Sequence, residues 1–553
     1  MGRTGALTVP LSTFHPAVRA WFAAEVGTPT PPQERGWPVI RSGAHALIAA
    51  PTGSGKTLAA FLCAIDALVR EGPYLADRCQ VLYVSPLRAL SNDVQKNLLR
   101  PLAGIAALDA FVPAIRVVVR SGDSTPAERQ QMVRKPPHIL VTTPESLGLL
   151  LTSTGGRGIL STVRTVIIDE IHAVAGSKRG AHLALSLERL ERLVGDHPLQ
   201  RIGLSATQKP LDQIAAFLVG RDRRCEIVDI GHLRQLDLGV EIPTSPLAAV
   251  CSHELWGEAY GRLVELILAH RTTLIFVNTR KLAERLSLRL IERFTAADQP
   301  GEQLVACHHG SLSKERRLDA EQRLKAGGLR ALVATATLEL GIDIGEVDLV
   351  VQIGSPRAIA TFLQRVGRAG HGVGRTPKAR IFALTHDELI EAAALLHAVR
   401  EGVLDRIHVP KHPWDVLAQQ IVALCVNEPS TIAELHIVLG RAHAYRDVDR
   451  EQLARVVALH TQGRRALLHY DPVTGVVRAT RRARLTAVMS GGAIPDNALF
   501  QVREDPGDVL IGTIDEDFSL ESSPGDVFQL GNTSWKILAV EGRAGVVRVV
   551  NAH

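Results

Sequence analysis

Cysteine is scarce in this chain of 553 residues: Cys63, Cys79, Cys225, Cys251, Cys307 and Cys425 are scattered, and no two form a C-x-x-C pair. That spacing excludes a zinc ribbon or a cysteine-held cluster, and six thiols are too few for a disulfide framework at this length. Long apolar runs are missing as well. The opening MGRTGALTVPLSTFHP has no hydrophobic stretch of the secretory kind, and no segment approaches the roughly 18 apolar residues of a membrane span. A membrane partner is therefore not expected, and a reducing cytoplasm is the default location. No internal repeat or low-complexity tract stands out. A large charge excess is lacking too. The formal net charge is +6, which points only weakly to a polyanionic partner.

What is present is an ordinary globular balance, 46% hydrophobic and 22% charged, with length for about three to five domains. Short β-branched runs recur at 46–50, 81–86, 115–119, 138–143, 165–169 and 201–205. Segments of helical period, such as 58–70 and 180–193, lie between them. Strands alternating with helices predict βαβ units and a mostly parallel sheet. The pattern pauses over 231–246, read as a linker, and restarts at 273–277, 304–307, 331–334, 349–353 and 380–384. After residue 400 two helical segments, 415–426 and 450–460, suggest a small helical module. From about 465 short strands follow, running nearly to the end of the sequence.

The strand at 46–50 feeds A-P-T-G-S-G-K-T, Ala50 to Thr57, and a helix follows. Ala50 stands where the common phosphate-loop pattern has its first glycine. Thr52, Gly53, Ser54 and Gly55 would wrap a phosphate with backbone N–H groups at a helix N-terminus. Lys56 would reach the β- and γ-phosphates, and the Thr57 hydroxyl would bind Mg²⁺. The strand at 165–169 delivers Asp169-Glu170-Ile171-His172. Asp169 would hold Mg²⁺ through water, and Glu170 would polarise the attacking water as general base. ATP and Mg²⁺ are the ligands that this pairing predicts.

Further motifs keep one fixed order. Gln33 lies in T-P-P-Q. S-P-L-R-A-L occupies 85–90, T-T-P-E-S-L 142–147, and Ser205-Ala206-Thr207 follows the acidic pair. I-F-V-N-T-R occupies 275–280, H-H-G-S-L-S 308–313, A-T-A-T-L-E-L-G-I-D-I 334–344 and Q-R-V-G-R-A-G-H 364–371. This ladder resembles that of superfamily 2 helicases. D-E-I-H-A-V-A-G-S-K-R-G, with S-G-G-A-I-P-D at 490–496 and G-D-V-F-Q-L-G-N-T-S-W at 525–535, is similar more specifically to the large helicase-related family of bacteria and archaea.

The resemblance implies an α/β fold. Two tandem RecA-like domains, 1–230 and 231–400, would precede a winged-helix module at 401–480 and the start of a β-rich domain at 481–553. It also implies roles. Gln33 would read adenine. Gln364, Arg365 and Arg368 would approach ATP from the second domain, with Arg368 the first choice for an arginine finger and Arg365 the second. Asp343 would lie near the ribose or the hinge. His172, Ser205 and Thr207 would couple the nucleotide site to the second domain, the last two by bridging Asp169. Arg88, Thr143, Thr279, Arg280 and Thr335 would touch a nucleic-acid backbone without reading sequence. His308 and His309 are expected to make hydrogen bonds within the motor rather than to hold a metal. The run Arg481–Arg484 is a candidate phosphate contact, and Ile494 a candidate base wedge.

The function so implied is 3′-to-5′ translocation on single-stranded DNA with unwinding of DNA or RNA:DNA duplexes, in DNA repair. Two alternatives remain open. One is an RNA helicase that opens duplexes locally. The other is an ATPase that is stimulated by nucleic acid but cannot unwind, because the family's β-rich domain continues beyond the residues present here.

Overall fold

The computed structural model describes residues 11–552, except 52, 87–93, 123, 207, 232–234, 249–250, 311, 313, 340–344, 370–375, 495–498, 516–518, 520, 521, 523, 531–532 and 543. Two compact units are present. One holds nearly all of the chain up to Gly492, and the other is formed chiefly by 493–553.

Seven strands build the first sheet: β1 (His45–Ala49), β2 (Val81–Val84), β3 (Val117–Arg120), β4 (Ile139–Thr142), β5 (Thr165–Ile168), β6 (Gln200–Ser205) and β7 (Cys225–Asp229). Their order is β3-β4-β2-β5-β6-β1-β7, with every pairing parallel. Strands β2 and β4 are buried along their whole length, as their unbroken apolar runs require when helices cover both faces. In this order β6 lies between β1 and β5. The loops after β1, β5 and β6 therefore emerge side by side at one edge, where ligands bind in open α/β sheets.

The second sheet contains β8 (Asp237–Glu241), β9 (Thr273–Phe276), β10 (Val305–His308), β11 (Ala331–Ala334), β12 (Leu349–Ile353) and β13 (Lys378–Phe382). The order is β10-β11-β9-β12-β13-β8, again all parallel. Strand β8 corrects the expected linker: D-L-G-V-E lies inside 231–246 and pairs with β13 over five residues. It is an edge strand, only half-buried at every position, so its sequence need not carry an apolar run. The two sheets are the cores of tandem RecA-like domains.

Behind them, helices Trp414–Cys425, Ile432–Leu439 and Arg450–Leu459 surround a small antiparallel sheet of β14 (Ser430–Thr431), β15 (Leu468–Asp471) and β16 (Val476–Ala479). Three helices and a β15–β16 hairpin make a winged helix, and a further helix, Arg481–Met489, follows it. The module is fastened to the first RecA-like domain. The buried Arg189 guanidinium donates to Gln420 Oε1 at 2.7 Å, to Thr152 Oγ1 at 3.1 Å and to the Ala423 carbonyl at 3.5 Å. Arg157 and Arg192 both pair with Glu428.

The second unit is a five-stranded sheet of β17 (Leu499–Glu504), β18 (Val509–Asp515), β19 (Val527–Leu530), β20 (Thr533–Glu541) and β21 (Val546–Asn551), in the order β18-β17-β21-β20-β19. Phe500, Val502, Trp535, Ile537, Val547 and Val549 form its core.

Candidate functional site

The loop after β1 needs glycine at two places. Gly53 has φ 77° and Gly55 φ 85°, the left-handed region that side chains disfavour. A Cβ on Gly55 would also lie 2.8 Å from Gln33 Nε2. Helix Lys56–Glu71 starts directly after this turn, with its cap residue Gly55 making no side-chain bond. Its first N–H groups thus face the loop, the arrangement that receives phosphate. The Ser54 hydroxyl is buried with no hydrogen-bond partner among the described residues. Thr57 begins the same helix and is half-buried.

Opposite, β5 ends at Ile168 and delivers Asp169 and Glu170 in the turn that follows. Glu170 has φ 43°, a strained conformation for this residue type. Its Oε1 lies 3.3 Å from Lys56 Nζ, and its Oε2 is buried without a hydrogen-bond partner. Burial opposes its charge. The Lys56 ammonium, with the Arg368 charge behind it, nonetheless holds the Glu170 carboxyl below the usual carboxylate range, so it stands ready as a base. Asp169 is the reverse. Burial and then the neighbouring Glu170 charge push it up to about 6, against Lys56. Its carboxylate accepts from the Tyr83 hydroxyl and, at 2.9 Å, from the Glu170 N–H.

A buried carboxylate held in a raised state and an orphaned oxygen beside it fit a divalent cation. Asp169 and the Thr57 hydroxyl supply the hard oxygen donors that Mg²⁺ takes, few in number because phosphate and water complete such sites.

Gln33 is buried. Its Oε1 accepts from the Thr30 N–H at 2.9 Å, and its Nε2 donates to the Gly55 carbonyl at 3.5 Å. Here it ties the helix Pro31–Arg41 to the phosphate loop.

His172 connects this wall to the second domain. Burial pushes it down to about 4, so it is neutral. Its Nδ1 accepts from the Ala206 N–H at 3.1 Å, which leaves the proton on Nε2. Nε2 faces the Gln364 Nε2 at 2.5 Å; with the proton on the ring Nε2, the amide has to be turned end for end so that its oxygen accepts. Ser205 differs from the expectation. Its hydroxyl donates to the Ala206 carbonyl at 2.7 Å and lies 3.3 Å from His172 Nδ1, on the histidine side of the site and not at Asp169.

Gln364, Arg365 and Arg368 belong to or follow the helix Ile359–Val366. The two arginines separate in their surroundings. Arg365 is buried, pairs with Glu339, donates to Gln352 Oε1, and lies 5.0 Å above the Phe276 ring. Arg368 donates to the Glu339 carbonyl at 2.6 and 3.2 Å, and its charge reaches Glu170.

On the track side, Thr143 and Thr279 cap helices. Their hydroxyls accept from the N–H groups of Ser146 at 3.4 Å and Leu282 at 3.2 Å. Arg280 is exposed in the first turn of the helix Arg280–Ala296. Thr335 is buried and starts a short 3-10 turn after β11. His308 Nε2 lies 2.9 Å from Glu321, and His309 Nε2 lies 3.1 Å from Glu284. Thr52, Arg88, Thr207, Asp343 and His371 lie outside the described residues.

Sequence reasoning missed Tyr83, Gln352 and Glu339. The last stands inside A-T-L-E-L-G and could have been suspected as the acid that two motif arginines require. Nothing in V-L-Y-V singles out Tyr83.

Comparison with known proteins agrees with this geometry. Residues 30–214 match the DEAD/DEAH box helicase family, 258–372 the helicase conserved C-terminal domain, and 397–553 the winged helix domain of large helicase-related proteins. The structure of Mycobacterium smegmatis helicase Lhr bound to ssDNA and AMP-PNP superposes with a TM-score of 0.83 at 43% identity, covering 95% of this chain and 68% of that one. The chain belongs to the large helicase-related family. Among curated relatives, the Lhr helicase/probable uracil glycosylase of Mycolicibacterium smegmatis is 42% identical over 96% of this chain. The ATP-dependent helicase Lhr-Core of Sulfolobus acidocaldarius is 39% identical over 97%. This Lhr-family chain spans 38% of the first relative's length and 62% of the second's. Among its described residues no helix is long and apolar enough to cross a membrane.

Proposed function

We propose that the chain is an ATP-driven motor that moves 3′-to-5′ on single-stranded DNA and separates DNA or RNA:DNA duplexes, in DNA repair in the cytoplasm. Its motor would occupy 1–230 and 231–400, with 401–480 and 481–553 as accessory domains. The observation that carries the reading is the run of contacts from the phosphate loop into the second RecA-like domain: Lys56 pairs with Glu170, and His172, two residues on, meets Gln364. A hydrolytic base tied to a group on the opposite wall makes hydrolysis sensitive to domain closure.

On binding, ATP would draw Lys56 from Glu170 to its β- and γ-phosphates. That frees Glu170 to accept a proton from the attacking water. Mg²⁺, held by Thr57 and Asp169, would neutralise phosphate charge. Arg368 already reaches Glu170 electrostatically and would stabilise the γ-phosphoryl group as it transfers. Arg365, engaged by Glu339 and Gln352, would position the motif. Asp343 would serve the ribose or hinge, and Gln33 would join adenine to the phosphate loop. Arg88, Thr143, Thr279, Arg280 and Thr335 would carry the strand, with Thr207 assisting His172 in coupling.

The choice of DNA follows the Mycobacterium smegmatis relative, whose structure holds ssDNA and AMP-PNP. Steady-state ATP hydrolysis with and without single-stranded DNA, beside Glu170→Gln, tests the whole reading. DNA stimulation that the variant abolishes is expected. Hydrolysis that responds to single-stranded RNA and not to DNA would replace DNA as the track.

A further inference from the structure

The chain's positive charge is unevenly placed. Residues 452–492 contain seven arginines, no lysine and one carboxylate, Asp471. That local excess of six equals the formal excess of the whole chain, so the rest of the protein is balanced. All seven arginines are exposed, and no ion pair is recorded for any of them among the described residues. Elsewhere several arginines find acids, as Arg201 does with Glu188 and Glu191.

The winged helix gathers these charges. The Leu467 N–H donates to the His460 carbonyl at 2.9 Å, which closes the loop bearing Arg464 and Arg465. The Thr480 hydroxyl donates to the Ala466 carbonyl at 3.1 Å, and the Thr480 N–H to Leu467 at 2.9 Å. Thr480 immediately precedes the helix Arg481–Met489, so the loop pair sits beside Arg481 and Arg482. On the hairpin, Arg478 stands directly opposite His469, and both are exposed. Arg455 lies on the exposed side of the helix Arg450–Leu459.

Seven exposed arginines facing one carboxylate along 452–492 call for a polyanion. The patch offers little for an unpaired base to stack on. Basic single-strand grooves commonly add aromatic faces for the bases, and the only Phe, Trp or Tyr in 452–492 is Tyr470. Tyr470 pairs with Val477, one register step from the His469–Arg478 pair, so it points to the other face of the hairpin. Arginines without stacking faces suit the sugar–phosphate backbone of a double helix, whose bases are turned inward. We infer that the exposed face of the winged helix, from Arg464 and Arg465 to Arg478 and Arg482, is a second nucleic-acid site that grips the backbone of duplex DNA apart from the single-strand track. The nucleic-acid reading above enters only in the choice of polyanion.

The test compares the whole chain with an Arg464→Ala/Arg465→Ala/Arg478→Ala variant, using a blunt-ended DNA duplex with no single-stranded tail. Binding is followed across a salt series, and folding is checked by circular dichroism. The variant is expected to bind the duplex roughly tenfold more weakly, with a salt slope shallower by about 0.9 per lost phosphate contact. The concentration of single-stranded DNA that half-maximally stimulates ATP hydrolysis is expected to stay within about twofold. Unchanged duplex affinity, or no duplex binding by the parent chain, overturns the inference. Equal losses for duplex and single strand also overturn it, because the patch would then belong to the track. A parent chain that binds duplex but shows no DNA-stimulated hydrolysis defeats the motor reading and leaves this site standing.

Discussion

Replacing Gln364 with alanine isolates the one hydrogen bond that joins the catalytic wall to the second domain. Nδ1 of His172 is occupied by the Ala206 N–H, so Nε2–H faces the Gln364 amide, which accepts once it is turned to present its oxygen. The alanine variant leaves the Nε2–H of a buried ring without a partner, at about 1–3 kcal/mol. The closed cleft alone bears this cost, since His172 can meet water when the domains part. Closure should therefore weaken by about 1–3 kcal/mol, roughly 5- to 150-fold in its equilibrium. Stability of the individual domains should hardly change, because Gln364 is only half-buried. The assay is kcat for ATP hydrolysis at saturating single-stranded DNA, against basal turnover and the thermal midpoint. We expect the stimulated rate to fall by at least roughly fivefold, with basal turnover and midpoint preserved. Gln364→Glu keeps an acceptor for Nε2–H and should recover part of the stimulation. Full stimulation in the alanine variant, or a glutamate variant no better than alanine, would refute the relay.

Other perturbations separate the remaining roles. Lys56→Ala should abolish hydrolysis while leaving the circular dichroism spectrum intact; undiminished turnover in a clean preparation would remove the phosphate loop from the mechanism. Arg368→Ala should lower kcat by about 10³-fold with little change in thermal midpoint. Arg365→Ala should destabilise the second domain by about 1–3 kcal/mol, because it leaves the half-buried Glu339 carboxylate without its cation; thermal denaturation of the pair reads the difference. The raised Asp169 carboxyl predicts a pH dependence of the nucleotide-free protein. Its folded value of about 6 exceeds the ordinary 3.8, so its contribution to stability is fully present below about pH 4 and is lost as pH rises through 6. Mg²⁺ needs the ionised form, so Mg²⁺-dependent nucleotide affinity should climb by about tenfold per pH unit up to 6 and then level. An affinity flat between pH 5 and 7 would contradict this environment for Asp169.

The parts of the site that could be read in the sequence are those whose chemistry depends on near neighbours in the chain. Gly53, Gly55 and Lys56 make one turn, and Asp169 and Glu170 follow one strand, so spacing alone locates them. The sheet cores are legible for the same reason, since strands buried on both faces must be apolar throughout. Strand β8 escaped because an edge strand has no such demand. Its half-exposed D-L-G-V-E takes its identity from pairing with β13, 137 residues or more along the chain. Glu339 and Tyr83 escaped because each acts on a partner brought close only by the fold: Arg365 and Asp169. The Ser205 hydroxyl illustrates the limit most clearly. Its place in the motif order predicts the company of Asp169, but strand β6 sets it beside the ring of His172, where the backbone N–H of Ala206 fixes the tautomer. That backbone group decides which way the relay donates, and no side-chain pattern could have announced it.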